Sequence, residues 1–295
     1  MSGLQSEEGK QSMSMQLSTK TLHSTPFIAR RWQLEALREL DKLYRKGQQD
    51  FLLVAATAAG KTRFALEAAR RLLSKGVGER IVIVCHSDHL RKHWAYVAES
   101  LCIKIDPRFS NADGMESTSY HGVAVTYQQV VSAPDLFRMN CNYRSTMVIL
   151  DEVHHVGDRK PWGGAIQNAF EVGHFRLGMS GTLFRMDGRR IPFVNYVNGV
   201  SKPDYIYGYA QGIADKVCRP IYFQTFDGDL VWMREGSEEL KEHSMLDLVD
   251  RTTATERLMI ALDPDREWLR HVLAKADEHL TAIRESGHAD AGGVI

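Results

Sequence analysis

The sequence lacks several features that would assign it to a particular class of protein. Lys plus Arg and Asp plus Glu number 37 each, so no net charge attracts the chain to nucleic acid, and any such contact must come from a local patch. The spacing of its few cysteines fits neither a metal site nor a redox pair, and the four are Cys85, Cys102, Cys141 and Cys218. This cysteine usage favours a reducing, cytoplasmic location.

Long apolar segments are also missing. No run approaches the roughly 20 residues that a membrane-spanning helix needs, so we expect no membrane partner. The first residues are rich in Ser, Gln, Lys and Met without periodicity, and they contain no apolar stretch of the kind found in signal peptides. This composition predicts a disordered tail over residues 1–25.

What the sequence does contain is a phosphate-binding pattern. The apolar run Phe51-Leu52-Leu53-Val54 predicts a strand buried on both faces, and apolar residues at helical spacing after Gly60 predict a helix that ends near Gly76. The segment between them reads Ala55-Ala56-Thr57-Ala58-Ala59-Gly60-Lys61-Thr62. A strand, a loop of small residues and a helix place backbone N–H groups around a phosphate.

The last residues of this loop each have an expected contact with the phosphates or with Mg²⁺. The backbone of Ala58, Ala59 and Gly60 would hold the phosphates, Lys61 would neutralise the β- and γ-phosphates, and the Thr62 hydroxyl would bind Mg²⁺. The alternative is a chance Gly-Lys-Thr sequence on a surface turn. ATP and Mg²⁺ are the ligands that the pattern predicts.

A second motif, Asp151-Glu152-Val153-His154-His155, follows another apolar run. Asp151 therefore falls at the carboxyl end of a strand, where open α/β sheets bind ligands. Asp151 would hold Mg²⁺, through water, and Glu152 would orient or deprotonate the attacking water. For the histidine pair alone, a polar turn is the favoured interpretation, and a zinc site is disfavoured because no Cys or His lies at ligand spacing.

Together, the loop and the Asp-Glu-x-His motif resemble the amino-terminal motor domain of superfamily 2 (DEAD/DEAH-box, DExH) helicases, in the group with restriction-type helicase subunits and phage helicases. The resemblance covers about Phe27 to Asp187. It implies a RecA-like P-loop NTPase domain, an α/β fold with a parallel sheet flanked by helices. The loop departs from the family pattern, since Ala55 and Ala58 stand where glycines are common.

The resemblance also implies roles for residues outside the phosphate loop. Arg30 and Gln33 match the adenine-reading segment Arg-x-x-Gln, although a polar helix face is the alternative. His155 takes the last position of the acidic box, which couples nucleotide state to the neighbouring domain. In the sequence 176–188, which has Gly181 for the family's Ala, the hydroxyls of Ser180 and Thr182 would contact the acidic motif and link hydrolysis to strand movement.

Two further segments resemble the family's contacts with a nucleic-acid strand. The first follows an apolar run and contains His86 and Arg91. The second contains Thr126 and Gln128, which could meet phosphates or sugars. A solvated helix face with ordinary charges is the alternative for the first segment. DNA, single-stranded or duplex, is the expected partner, and RNA stays possible.

The chain divides into segments of different composition. We expect the RecA-like ATP-binding domain over 26–195, a linker and helical region over 196–285, and the start of a truncated second RecA-like domain over 286–295. A second motor domain, or a partner chain, would then supply the arginine fingers that stabilise the transferred phosphoryl group.

Within the region after residue 195, the pattern predicts a strand at 220–224 and helices over 237–250 and 253–262. Asp263-Pro264 then predicts the N-cap and first residue of a last helix.

These observations predict an ATP-dependent DNA helicase or translocase, represented by its ATP-binding half. The alternative is a non-catalytic fragment or subunit that binds ATP and nucleic acid and needs a second motor domain for turnover. The presence of Glu152 favours hydrolysis, because a protein that only binds ATP has no need of a carboxylate that positions water. A small-molecule kinase is disfavoured by the acidic motif.

Overall fold

The computed structural model of the chain describes residues 28–157, 162–182, 190–221, 226–233 and 240–293. They form two compact units, Met1–Arg219 and Pro220–Ile295. The tail predicted over 1–25 lies outside the described residues, and the domain bounds proposed from the sequence stay predictions.

The first unit is built on one parallel sheet of seven strands in the order β3-β4-β2-β5-β6-β1-β9. The strands are β1 (Asp50–Ala55), β2 (Arg80–Cys85), β3 (Ile105–Asp106), β4 (Gly122–Thr126), β5 (Thr146–Leu150), β6 (Phe175–Ser180) and β9 (Tyr205–Tyr207). A short antiparallel hairpin, β7 (Tyr196–Val197) and β8 (Val200–Ser201), precedes β9. The parallel order confirms the α/β fold that the motifs predicted.

Helices cover the faces of this sheet. They are α1 (Arg31–Arg45), α2 (Lys61–Ser74), α3 (Asp88–Glu99), α4 (Tyr127–Ser132), α5 (Pro134–Tyr143), α6 (Trp162–Phe170) and α7 (Tyr209–Ala214). The predicted helix after Gly60 is confirmed, and Gly76 follows its end with a φ of 66°, a conformation that suits glycine.

Two separate hydrophobic clusters lie on the two faces of the sheet. Successive strand residues point to opposite faces, so Leu53 and Ile149 pack with α1, α2 and α3, whereas Leu52 and Val148 pack with α4, α5 and α6. The central strands β1, β2 and β5 therefore contain continuous apolar runs, at 51–55, 81–85 and 147–150, as the sequence predicted.

The edge strand β9 lies in a segment that the sequence presented as a connection. Its start is fixed by Asp204, whose carboxylate accepts hydrogen bonds from the Leu52 amide (2.7 Å) and from Gln48 Nε2 (2.9 Å). The strand pairs with β1 along Leu53–Ala55. It therefore extends the sheet on the side of the phosphate loop.

The second unit contains an antiparallel pair, β10 (Asp229–Met233) and β11 (Leu240–Ser244), and two helices, α8 (Arg251–Ala261) and α9 (Glu267–Glu285). Leu230, Trp232 and Ala261 form its small buried cluster. Among the described helices, none is both long enough and apolar enough to span a membrane.

Three predictions for this unit have different outcomes. The helix predicted over 253–262 is confirmed as α8. The helix predicted over 237–250 is wrong over Leu240–Ser244, because backbone pairing with β10 makes this segment a strand. The strand predicted at 220–224 lies mostly outside the described residues.

The start of the last helix was also predicted wrongly. Helix α9 begins at Glu267 after the N-cap Arg266, not at Pro264. Asp263 instead forms a turn, in which its Oδ1 accepts from the Asp265 amide (3.0 Å) and its carbonyl oxygen accepts from the Arg266 amide (3.1 Å). Local side-chain bonding to the backbone therefore favours a turn over an N-cap here.

Arg176 is a buried cation that joins β6, β1 and the end of α6. Its Nη1 donates to the carbonyl oxygens of Phe170 (3.2 Å), Glu171 (3.0 Å) and Gly173 (2.8 Å), and its Nε contacts the carboxylate of Asp50. We expect Arg176→Met to lower the free energy of unfolding by about 2–4 kcal/mol, because the carbonyl oxygens and the Asp50 carboxylate lose a buried, charged donor. Chemical denaturation followed by circular dichroism measures this loss.

The matched control is Arg31→Met, since the Arg31 side chain is 90% exposed and, among the described residues, forms an ion pair with its helix neighbour Glu35 alone. The control should not move the denaturation midpoint. Equal midpoints for the two variants would contradict a structural role for Arg176.

Candidate nucleotide-binding site

The site lies at the carboxyl edge of the sheet, where three neighbouring strands end. β6 pairs with β5 on one side and with β1 on the other, all parallel. The segments that follow these strands are the phosphate loop after β1, the acidic motif after β5 and the Ser180–Thr182 segment at the end of β6. The sheet order therefore brings together motifs that are far apart in the sequence.

The phosphate loop leads into the N-terminus of α2 without a side-chain cap. Gly60 is the N-cap residue, with a φ of 101°, so it has no side chain to accept a bond from the first turn. Within the described residues, the amides of Lys61, Thr62 and Arg63 have no hydrogen-bond acceptor. Unpaired amides at a helix N-terminus, with the helix dipole behind them, attract an anion.

Arg30 and Gln33 brace the loop from the N-terminus of α1. Arg30 Nη1 donates to the carbonyl oxygen of Ala59 (2.5 Å), and Gln33 Nε2 donates to that of Gly60 (3.0 Å). Gln33 Oε1 also accepts from the Arg30 amide (2.9 Å). A Cβ at Gly60 would lie 3.0 Å from Gln33 Nε2, which explains why glycine suits this position. Their predicted adenine contacts stay a prediction.

The loop is also held from the segment around β9. The Ala56 amide donates to the carbonyl oxygen of Tyr207 (3.0 Å), and Cys218 Sγ lies 3.6 Å from the carbonyl oxygen of Thr57. Sequence reasoning did not associate residues beyond 195 with the loop. Nothing in the local pattern around Tyr207 indicates this contact, because it depends on strand pairing.

Lys61 and Glu152 form an ion pair at the centre of the site. Lys61 Nζ lies 3.0 Å from Glu152 Oε1 and donates to the carbonyl oxygen of Ala55 (3.2 Å). The Gly181 amide donates to Glu152 Oε2 (3.0 Å). Burial opposes ionisation of Glu152, but Lys61 and the Gly181 amide outweigh it, and the pKa of this carboxyl lies below its ordinary value.

Asp151 occupies a different environment. Burial raises the pKa of its carboxyl, although the Trp94 indole N–H, which donates to Oδ2 (3.0 Å), favours the ionised form. Its backbone is fixed as well, because its amide donates to the Val84 carbonyl oxygen (2.9 Å) and its own carbonyl oxygen accepts from the Tyr127 hydroxyl (3.0 Å). Oδ1 accepts no hydrogen bond from the described residues, so one carboxylate oxygen is available to a cation.

These residues fit a magnesium ion that is held together with a nucleotide. Mg²⁺ commonly binds one or two carboxylates, phosphate oxygens and water. Among the described residues, no cluster of three or more His, Cys, Asp or Glu side chains could hold a metal. Asp151 and the Thr62 hydroxyl would therefore share the ion with phosphate oxygens and water.

The histidine pair separates into two roles. His154 Nδ1 lies 2.8 Å from Ser180 Oγ and 3.5 Å from Glu152 Oε2. Ser180 Oγ also donates to the Thr182 carbonyl oxygen and accepts from the Thr182 amide (3.1 Å). The structure thus places Ser180 in contact with the acidic motif. The residues predicted to continue this segment, 183–188, lie outside the described part of the chain.

His155 faces another partner. Its ring centroid lies 4.2 Å from that of His154 and 5.1 Å from that of His86. His86 follows β2 and is exposed. His155 therefore connects the acidic motif with the first segment that was predicted to contact nucleic acid.

The other residues predicted to contact nucleic acid differ in whether their side chains are already hydrogen-bonded within the protein. Arg91 donates from Nε to the Ala124 carbonyl oxygen (2.8 Å) and from Nη2 to that of Phe109 (2.7 Å), which favours a structural role. Thr126 Oγ1 caps α4 by accepting from the Gln129 amide (3.1 Å). Gln128 is exposed. His86 and Gln128 are therefore the better placed pair to meet a strand.

Sequence reasoning missed three residues of the site: His154, Trp94 and Tyr127. His154 was read as part of a polar turn, although its place in the acidic motif was the available signal. Trp94 and Tyr127 contact Asp151 from other segments of the chain, and nothing in their own sequence context indicated these contacts.

The chain is similar in sequence to proteins of mycobacteria. It is 41% identical over 273 residues to an uncharacterised protein of Mycobacterium tuberculosis (strain H37Rv), and the aligned region covers 90% of this chain and 44% of that protein. It is 39% identical over 271 residues to an uncharacterised protein of Mycobacterium leprae, which covers 90% of this chain and 45% of that one. The chain thus spans less than half the length of these relatives.

Solved structures that match part of the chain include a restriction-modification enzyme and a helicase. The ATP-dependent Type ISP restriction-modification enzyme LlaBIII bound to DNA is 14% identical, with a TM-score of 0.48 over 65% of this chain and 16% of that one. The UvsW helicase from bacteriophage T4 is 21% identical, with a TM-score of 0.38 over 52% of each chain.

A family model described as "Type III restriction enzyme, res subunit" matches residues 27–185, which is more than half of the chain. The matched region includes the phosphate loop, the acidic motif and Ser180. The match confirms the resemblance that these motifs indicated. The protein belongs to the type III restriction enzyme res subunit family, and its first unit is a superfamily 2 helicase-type motor domain with the RecA-like P-loop fold.

Proposed function

We propose that the chain is the ATP-binding half of an ATP-dependent DNA helicase or translocase, and that it hydrolyses Mg·ATP to move along nucleic acid. The observation that carries this proposal is the Lys61–Glu152 ion pair (3.0 Å) beside the uncapped N-terminus of α2. A phosphate-binding lysine and a water-orienting carboxylate lie in contact there, at the place where the terminal phosphate of a nucleotide would bind.

The triphosphate would bind at the N-terminus of α2. The amides of Lys61, Thr62 and Arg63 are oriented to donate to phosphate oxygens. The Lys61 ammonium would exchange the Glu152 carboxylate for the β- and γ-phosphates. The ion pair between Lys61 and Glu152 would therefore break only when nucleotide binds.

Thr62 and Asp151 would hold Mg²⁺, which when bound neutralises charge on the β- and γ-phosphates. Glu152 would orient the attacking water. The Glu152 carboxylate would accept a hydrogen bond from that water through the oxygen that Lys61 releases. The Gly181 amide keeps its other oxygen in place.

Hydrolysis would be linked to strand movement through His154 and Ser180. His154 Nδ1 is close to both Glu152 Oε2 (3.5 Å) and Ser180 Oγ (2.8 Å), so a change at Glu152 reaches the end of β6 directly. Thr182 follows in the same segment, and His155 would pass the change to His86. Arg30 and Gln33 would read the adenine edge while they brace the loop.

DNA is the proposed track. Support comes from the family, because its description names a restriction enzyme subunit, and restriction enzymes act on DNA. His86 and Gln128 would approach the strand, with Arg91 and Thr126 shaping the segments that present them. We propose that a second motor domain, in the same polypeptide or in a partner chain, supplies the arginine fingers that complete the transition state.

ATP turnover with and without single-stranded DNA tests this proposal. We expect Lys61→Ala to reduce hydrolysis by about 10²-fold or more, because it removes the charged donor for the transferred phosphate. Glu152→Gln should reduce turnover by about 10²–10⁴-fold, because it removes the carboxylate that would orient the water. It should bind ATP at least as tightly as the wild type, because no ion pair with Lys61 has to break when the phosphates bind.

Lys75→Ala is the matched control, since Lys75 follows the same helix and its side chain is 49% exposed. This variant should hydrolyse ATP like the wild type. If the wild-type chain binds ATP and shows no turnover with DNA and a complementing motor domain, the hydrolase proposal fails, and the chain is a binding module.

A double-mutant cycle tests the link through His154. Alanine at His154 or at Ser180 should lower DNA-stimulated hydrolysis more than basal hydrolysis, because each removes the contact between the acidic motif and β6. The rates with DNA are converted to activation free energies. The sum of the two single effects should exceed the effect of the double change by about 1 kcal/mol, since either change removes the same hydrogen bond.

The control cycle pairs Ser180→Ala with His93→Ala, an exposed histidine on α3. These two changes should be additive. Additivity in the His154–Ser180 cycle as well would rule out the proposed coupling.

A further inference from the structure

We infer that Trp94 is a positioning residue for the magnesium-binding carboxylate of Asp151, an inference that rests on the function proposed above. Trp94 lies on α3, outside the phosphate loop and the acidic motif. It makes no contact with the places proposed for the phosphates. Its indole N–H instead donates to Asp151 Oδ2 at 3.0 Å, and both residues are buried.

The remaining freedom of Asp151 is small. Its amide is fixed by the carbonyl oxygen of Val84 and its carbonyl oxygen by the hydroxyl of Tyr127. With the backbone held at both ends, the rotation of the carboxylate is the main variable. The indole fixes this rotation, because it is the one hydrogen-bond donor to this carboxylate within the described residues.

The indole is itself held firmly. The Trp94 ring is 0% exposed and belongs to the hydrophobic cluster on the α1–α3 face of the sheet. Arg91, one turn earlier on α3, donates to the backbone at Ala124 and Phe109 and fixes the helix against its neighbours. A single, directional donor on a rigid support determines which carboxylate oxygen is left for the cation.

This geometry reserves Oδ1 for the metal. Oδ2 is occupied by the indole, whereas Oδ1 accepts no hydrogen bond from the described residues. Residues that orient a metal ligand commonly change metal affinity by 10–100-fold when they are removed. Because Lys61 and the α2 amides would contact phosphate and not the ion, the loss of Trp94 should affect only the magnesium-dependent part of nucleotide affinity.

The experiment measures the affinity of the full chain for a fluorescent ATP analogue, once with excess Mg²⁺ and once with EDTA. In Trp94→Phe we expect affinity in Mg²⁺ to fall by about tenfold, with affinity in EDTA unchanged. A general loss of packing would lower both affinities together. The ratio of the two affinities therefore separates positioning of Asp151 from structural damage.

Trp32→Phe is the matched control. Trp32 is also buried in the first unit and stacks on Tyr207 (5.0 Å), but its Nε1 has no hydrogen-bond partner within the described residues. This variant loses the same atoms and should leave the ratio at the wild-type value. Asp151→Asn is the reference for loss of the magnesium ligand and should remove most of the magnesium-dependent gain.

If Trp94→Phe does not fold, β-(3-benzothienyl)alanine at position 94 keeps the shape of the indole without its N–H and should give the same tenfold loss. A wild-type ratio in a folded position-94 variant, with a reduced ratio in Asp151→Asn, overturns the inference about Trp94 alone. A wild-type chain that binds no nucleotide in either condition overturns the proposed function itself.

Discussion

The site depends on the position of β6 between β1 and β5. The parallel ladders pair Val54 with Ser180 and Leu150 with Gly178, so three strands end side by side at one edge of the sheet. Lys61 and Glu152 can form an ion pair for this reason alone, although they are far apart in the sequence. If β6 were displaced, the phosphate loop, the acidic motif and the Ser180 segment would no longer be adjacent.

Two neighbouring carboxyl groups acquire opposite properties at this edge. Burial raises the pKa of Asp151, whose one hydrogen-bond donor among the described residues is the Trp94 indole N–H, whereas Lys61 holds the pKa of Glu152 below its ordinary value. Different environments for two adjacent carboxyl groups commonly mark different chemical roles. A buried carboxylate that forms no ion pair with the described residues suits a metal ion, and the ionised carboxylate beside Lys61 suits a water molecule.

Much of this arrangement could be predicted from the sequence. Strands β1, β2 and β5 carry continuous apolar runs because both faces of the sheet are covered, and the loop that ends in Gly60 and Lys61 follows one of these runs. The contacts of Trp94 and Tyr127 could not be predicted, because each depends on how distant segments come together in the sheet, whereas a contact between Ser180 and the acidic motif was expected and only the residue that makes it, His154, was missed. The hairpin at Leu240–Ser244 was missed for the same reason, since its partner strand and not its own pattern makes it a strand.

Two residues of the site, Ala58 and Glu152, have a left-handed backbone conformation that the sequence did not indicate. Ala58 has a φ of 62° and Glu152 a φ of 48°, in the left-handed region where a side chain costs about 1–2 kcal/mol. Alanine at position 58 therefore adopts a conformation that suits glycine, at a cost in strain. The loop tolerates this cost because Arg30, Gln33 and the Tyr207 carbonyl oxygen hold its backbone from two sides. An alanine in place of glycine thus raises the energy of the loop, and contacts from two other segments of the chain stabilise the conformation that leads into the N-terminus of α2.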